Sequence, residues 1–293
     1  RRHFACVDLA SEDGNVYDVD FFLAGDPGSM TVTETTVHKL NGRPYYLWEQ
    51  QDDGTWIHVD ATDASRELLG VVEGEDKFSF VYQATLPEMQ EDARMWIPIP
   101  SSDDFQTIDI KNIEIPGTHQ ILKDERFGNK VLFVELTPED SGLPILMQFD
   151  VLRQEKSMYA DSTSPETYLA PENLVPNSDK FLDIATDVLV DKNGGNLVKA
   201  RALYDHTIDT MRYAKFGNEY GKGDAVFACD SARGNCTDYH SYFIALSRSV
   251  GIPARFAIGA AVPSSRDDGG VNGYHCWAEF YAEGKWWPVD ISE

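Results

Sequence analysis

The hydrophobic pattern of this chain changes period part-way along. Over residues 31–60, polar and apolar positions alternate by two, in the runs TVTETTVHKL, RPYYLWEQ and TWIHVD. Asn41-Gly42 and Asp53-Gly54 separate these runs, and both pairs suit tight turns whose central residues take positive φ. The alternation predicts a β-meander, followed by a connector over 61–74 with a short helix near 63–69. Residues 75–155 keep the same period. Phe78 to Tyr82, Ile108 to Ile110, Val131 to Leu136 and Ile145 to Leu152 read as short strands. Trp96 to Pro100 reads as an edge strand, because its prolines cannot donate to a ladder. Turn signals at Pro116-Gly117 and Gly128-Asn129 part these strands, and such spacing predicts a β-sandwich.

From 156 to 178, Ser, Thr, Asp and Pro dominate, with Pro165, Pro171 and Pro176, which predicts a linker laid over a surface. The period then becomes 3.6. Phe181, Ile184, Val188 and Leu189 mark one helix, and Leu197, Ala200, Leu203, Tyr204, Ile208 and Met211 a second. Gly217 to Gly234 reads as a glycine-rich loop without period. A third helix is expected from about Thr237 to Val250, ended by Gly251 and Pro253. Strands are expected at about 254–262, 274–282 and 285–291. The chain is therefore expected to be multi-domain: an all-β N-terminal part, then an α+β core. Its divisions are a β-rich segment over 1–74, a β-sandwich-like domain over 75–155, a linker over 156–176 and the core over 177–293.

Within the core, Cys236 follows Gly234-Asn235 at a helix start. Unpaired N–H groups and the partial positive charge of a helix N-terminus stabilise a thiolate. The bland alternative is a small buried hydrophobe. The last two strands form a hairpin around Glu283-Gly284. A two-residue turn sets Ala282 opposite Lys285 and hence Trp277 opposite Asp290. His275 then shares a face with Trp277 and Asp290, and lies on a diagonal to that carboxylate. An aspartate so placed orients an imidazole and stabilises its charged form. A helix-starting Cys followed in order by a hairpin His and Asp is hard to explain by three separate bland roles. The third helix is expected to meet a tryptophan-rich face of this hairpin through Tyr239, Tyr242, Phe243 and Leu246.

The segments GNCTDYHSYFIALSRSVGIPARF and GYHCWAEFYAEGKWWPVD together resemble the catalytic core of the transglutaminase-like superfamily. The shared pattern is a Cys at a helix start, Gly-Ile-Pro-Ala-Arg after the helix, His-x-Trp-x-Glu and Trp-x-Pro-x-Asp. The Cys–His and His–Asp spacings of 39 and 15 are similar to the family's. The resemblance covers about 177–293, and more weakly the N-terminal β-domains of bacterial members. It implies a papain-like α+β fold and thiol acyl transfer. Cys236 attacks an amide carbonyl, His275 relays the proton and Asp290 orients His275. The acyl group then passes to water or to an amine. The family holds cross-linking enzymes, cysteine proteases and deglycosylating amidases, and hydrolysis is the expected outcome for a short bacterial-type core. The other reading is a binding or scaffold module with a vestigial triad.

Further residues have weaker claims. Asn235, Tyr213 and Tyr220 are candidates for an oxyanion or substrate contact. His240, one helical turn beyond Cys236, reads as a supporting or core histidine. Trp277, Trp286 and Trp287 are expected to pack the hairpin. Cys229 and Cys276 are left open as a disulfide pair. Asp267 to Gly270 reads as a solvated loop. The acidic run from Asp8 to Asp20 lacks EF-hand spacing, no cysteine pattern has zinc spacing, and no cofactor or metal is expected.

Composition narrows the partners. The net charge of -24 disfavours nucleic acid and anionic membrane surfaces. No apolar run is long enough to span a bilayer. The expected partner is a protein or peptide amide substrate, and oligomeric state is not legible. Arg1 to Cys6 is not a signal peptide and is read as a processed or cloning-defined start. The chain stops three residues after Asp290, and the natural protein is expected to continue. Location is left open, outside the cytoplasm being favoured if a signal peptide has been removed.

Overall fold

The computed structural model describes residues 2–11, 15–26, 28–40, 43–51, 56–60, 75–262, 268–271 and 273–292. The expected turns at 41–42 and 53–54, the helix at 63–69 and the first residue of the 267–270 loop lie outside them. The chain divides into two units, one formed by 1–70 with 157–293 and the other by 71–156.

The first strands are β1 (Arg2–Ala10), β2 (Val16–Ala24), β3 (Thr31–Leu40) and β4 (Arg43–Pro44), joined in that order into an antiparallel sheet. β5 (Tyr46–Gln50) pairs with β6 (Trp56–Asp60). The alternating meander is therefore present, and the β1–β2 hairpin precedes it.

The 71–156 unit holds β7 (Glu75–Thr85), β8 (Ala93–Ile99), β9 (Gln106–Glu114), β10 (Thr118–Lys123), β11 (Lys130–Leu136) and β12 (Pro144–Gln154). They form two three-stranded sheets, β10-β11-β8 and β7-β12-β9. Ile145, Met147, Phe149 and Val151 alternate inward along β12 and pack with Leu132, Val134 and Leu136 of β11. Period-2 patterning thus buries one face of each sheet against the other. β8, with Pro98, is an edge strand, as its missing donor requires.

The C-terminal part contains α1 (Asp179–Val188), α2 (Asn196–Thr210), β13 (Arg212–Tyr213), α3 (Ala225–Ser231), β14 (Arg233–Gly234), α4 (Cys236–Ser249), β15 (Ala254–Ala260), β16 (Tyr274–Ala282) and β17 (Lys285–Val289). α4 is its axis. Tyr239 and Tyr242 to Leu246 are all buried, so the helix is enclosed rather than amphipathic. α1, α2, α3 and the β15-β16-β17 sheet pack around it. α3 corrects the sequence reading of a plain loop over 217–234. Seven residues are too few to show a period, but Asp224 caps them by accepting the N–H groups of Val226 and Phe227.

The hairpin register is the expected one. Ala282 pairs with Lys285 and Ala278 with Val289, around Glu283 and Gly284 at φ 52° and 78°. Its packing differs from expectation. The side that meets α4 carries Ala278, Phe280 and Ala282, with Phe243 edge-on to Phe280 at 6.0 Å. Small side chains let the helix come close, and the bulk of a tryptophan would hold it away. Trp286 is buried elsewhere, edge-on to Tyr168 and Tyr281. Trp287 does join the helix-side core.

A charged cluster gathers around Trp286, with Glu279 buried and Arg255 and Tyr159 half-buried. Arg255 lies opposite Glu279 in the β15–β16 register, bonds its Oε2 at 2.8 Å and stacks over Trp286 at 4.0 Å. Tyr159 donates to the same Glu279 oxygen at 2.7 Å, and Asp161 binds Arg255 at 2.9 Å. These last two residues belong to the 156–176 stretch, whose Tyr159 also pairs with Trp286 through its backbone. Removing one partner of a buried ion pair leaves the other uncompensated. Arg255→Met is expected to destabilise the fold by about 3 kcal/mol or more, read by denaturant titration. A loss within about 0.5 kcal/mol, the range of an ordinary surface change, would contradict this account of the cluster.

Candidate active site

The site is built from the start of α4 outward. Asn235 is the N-cap, and its Oδ1 accepts the Thr237 N–H at 3.0 Å. Asp238, fully buried, accepts the Asn235 N–H at 3.0 Å and closes a capping box. The same carboxylate accepts the N–H groups of Gly221 at 2.7 Å and Gly223 at 3.2 Å, which pins the 217–224 loop to the helix start. Gly234 is required here, since a Cβ would stand 2.3 Å from the Asp238 Cβ. Cys236 therefore occupies the first helical position, 4% exposed, with its sulfur fixed at the positive end of the helix.

His275 and Asp290 arrive from the hairpin. His275 Nε2 and Asp290 Oδ2 are directly hydrogen-bonded, and the Ser292 N–H and hydroxyl bond the other carboxylate oxygen at 3.1 and 3.0 Å. The His275 ring and the Cys236 sulfur also interact, each favouring the charged form of the other. With Nε2 used on Asp290, Nδ1 is the ring nitrogen left for the thiol. The imidazole is thus hydrogen-bonded to Asp290 on one side and interacts with the Cys236 sulfur on the other.

Cys276 is the residue that sequence reasoning missed. It was weighed only as a disulfide partner of Cys229, whereas all four cysteines are free thiols. Buried, it lies beside the Cys236 sulfur, and its own sulfur is 3.4 Å from Thr237 Oγ1. The signal was in its position: the residue after a hairpin histidine points to the opposite side of the strand.

The electrostatics follow from these contacts. The Cys276 thiol lowers the Cys236 pKa most. Burial opposes it, and the Cys276 N–H and His275 add to the lowering, to about 5. The Cys276 thiol is itself pushed up, chiefly by its bond to Cys236 and by burial. Burial acts to lower the His275 pKa, but the bond to Asp290 and its charge outweigh that and raise it. Asp290 is held below its ordinary range: burial opposes this, but the His275 bond and the Ser292 N–H prevail. The thiolate of Cys236 is therefore favoured at neutral pH, and the charged form of His275 is stabilised beside it.

His240 is fully buried and differently bound. Its Nε2 accepts the Ile291 N–H at 3.0 Å, so Nδ1 carries the proton and donates to the Cys236 carbonyl at 2.7 Å. Burial lowers its pKa to about 4, and the ring is neutral. It ties the first turn of α4 to the residue after Asp290. The remaining candidates lie near but are occupied. Asn235 Nδ2 donates to the Tyr274 hydroxyl at 3.1 Å. Tyr213 pairs through its backbone with Gly234, and its ring rests on Tyr239 and Lys215. Tyr220 is half-buried beside Gly221 in the pinned loop. Trp277 is half-buried at 6.3 Å from the His275 ring, against Gly259.

A thiolate is the form that alkylating agents attack. Because the Cys236 pKa is lowered, its iodoacetamide labelling rate is expected to rise through about pH 5 and to be level up to pH 8. An ordinary thiol, with a pKa of about 8.5, is still rising there. Cys276→Ala should move the Cys236 inflection upward. A wild-type rate that climbs through pH 8–9, or an inflection unmoved by Cys276→Ala, would contradict this assignment.

Residues 184–291 match the family described as the transglutaminase-like superfamily. An uncharacterized protein of Haemophilus influenzae is 24% identical, over 74% of this chain and 68% of that protein. The crystal structure of a candidate cysteine protease from Cytophaga hutchinsonii superposes with a TM-score of 0.58. It is 19% identical over 75% of this chain and 78% of that one, a likeness of fold.

Proposed function

We propose that this transglutaminase-like core is a thiol hydrolase of peptide amide bonds, with Cys236 as nucleophile, His275 as acid and base, and Asp290 as the group that orients His275. The family supports thiol-dependent catalysis in general. The observation that carries the finer reading is the His275–Asp290 hydrogen bond beside a Cys236 thiol whose surroundings, His275 among them, lower its pKa to about 5.

The steps follow from the geometry. The Cys236 thiolate adds to the amide carbonyl carbon, and the carbonyl π electrons move onto oxygen. The Cys236 N–H, at the first turn of α4, has no partner within its own helix by position and is placed to receive that oxyanion. The His275 imidazolium gives its Nδ1 proton to the departing amine, and the thioester forms. Neutral His275 then takes a proton from water, which attacks the thioester and releases the acid. Asp290 holds the ring through Nε2 during both transfers. His240 has no lone pair free for this work and acts as a positioning residue. Ile258, opposite Cys276 and exposed, and exposed Tyr274 offer an apolar surface to a substrate side chain.

Turnover of a peptide amide library tests the reading. Cys236→Ala and His275→Ala are each expected to abolish turnover, and the double variant to lose little more than either. Asp290→Asn should cost on the order of 10^4-fold in kcat, as expected when the ring loses its orienting partner. His240→Ala should destabilise the fold by about 1–3 kcal/mol, by leaving buried groups unmet, yet keep measurable turnover. An active Cys236→Ala variant would overturn the assignment. Rapid Cys236 labelling without turnover of any amide would favour the binding-module reading instead.

A further inference from the structure

The first three strands bring a thiol, a carboxylate and an imidazole to one place. Cys6 on β1 lies directly opposite Asp20 on β2. On its other side Asp20 pairs with Thr36 of β3. The β2–β3 ladder slips here: Val19 faces Val37 while Asp18 faces Lys39, so His38 is an extra residue on its strand. Bulges of this kind re-aim a side chain. His38 Nδ1 stands 3.5 Å from Asp20 Oδ2, and one donor atom from each of Cys6, Asp20 and His38 lies within 4.8 Å of the other two.

Two features mark the cluster as a site rather than a chance meeting. Asp20 is fully buried, and both its Oδ1 and His38 Nε2 are buried without a hydrogen bond. Buried polar atoms normally find a partner, so two orphans in one cluster call for an explanation. The donors are also held from behind. Tyr46 donates to Asp20 Oδ2 at 2.8 Å and stacks on the His38 ring, with centroids 4.9 Å apart. Supporting contacts of this type fix the ligands of metal centres.

We propose that Cys6, Asp20 and His38 bind a divalent ion of the zinc type. A sulfur, a nitrogen and an oxygen donor suit tetrahedral Zn²⁺, whereas Mg²⁺ and Ca²⁺ prefer oxygen alone. Cys6 is exposed, which gives the ion an entry path and leaves the fourth position to water. None of the three residues takes part in the Cys236 contacts, so the site is separate from the proposed chemistry.

The test uses the full chain with Cys236→Ala, which removes the active-site thiolate as a competing ligand. After chelator treatment and dialysis, Zn²⁺ is titrated calorimetrically and Co²⁺ by absorption. One equivalent of Zn²⁺ is expected, with a thiolate-to-Co²⁺ charge-transfer band. Cys6→Ser should abolish the band. Cys6→Ser and His38→Gln should each weaken binding beyond the about 10–100-fold that losing a supporting contact brings, and Tyr46→Phe should fall within that range. Excess Mg²⁺ should not displace the ion. Cys6 is exposed, so Cys6→Ser leaves folding intact and decides the matter even if His38→Gln unfolds. Absence of Zn²⁺ binding, or binding unchanged in Cys6→Ser, would overturn the proposal.

Discussion

The start of α4 is fixed by one buried carboxylate, and the candidate site depends on it. Asp238 takes three backbone N–H groups, from Asn235, Gly221 and Gly223, and pairs with no cation among the described residues. Those bonds join the end of a glycine loop, a helix N-cap and the first helical turn into one rigid piece. The sulfur of Cys236 is carried at its corner. The close approach of Gly234 to Asp238 leaves no room for a side chain between them, so loop and helix cannot slide apart.

The second half of the site is positioned from a different direction. A two-residue turn with positive φ at both centres sets the β16–β17 register, and that register delivers His275 and Asp290 together. His240 joins the two halves. One nitrogen holds the carbonyl of Cys236, and the other holds the N–H of Ile291. A neutral, buried imidazole thus ties the nucleophile's helix to the residue following the carboxylate. On the far side of the sheet, Arg255 and Glu279 lock β15 to β16. Two further residues of the family-like motifs therefore act through the scaffold rather than at the sulfur.

The legible parts of this molecule were those governed by local rules. Hairpin parity follows from turn length, so the His275–Asp290 pairing could be read from Glu283-Gly284. The change from period 2 to period 3.6 marked where helices begin, and Gly251-Ile252-Pro253 marked where α4 stops. The rest depended on tertiary packing. The side of the hairpin that faces α4 is chosen by size, which favours Ala278 and Ala282 over a tryptophan, and alternation alone does not reveal size selection. α3 is too short to show a period. Cys276 comes beside Cys236 across 40 positions of chain, a meeting that no local pattern encodes. The Cys6–Asp20–His38 cluster escaped notice because its donors lie on three strands brought together only by the sheet, with a bulge in the ladder.

The central claim is that acyl transfer runs through the Cys236 sulfur. Its most direct test is to mix the protein with an activated peptide ester, quench in acid within the first turnover and map the acylated residue by mass spectrometry. The account predicts a thioester at Cys236 that builds up and decays with turnover and is missing in His275→Ala. Turnover with no acyl group on Cys236, or an acyl group carried by Cys276 instead, would contradict it.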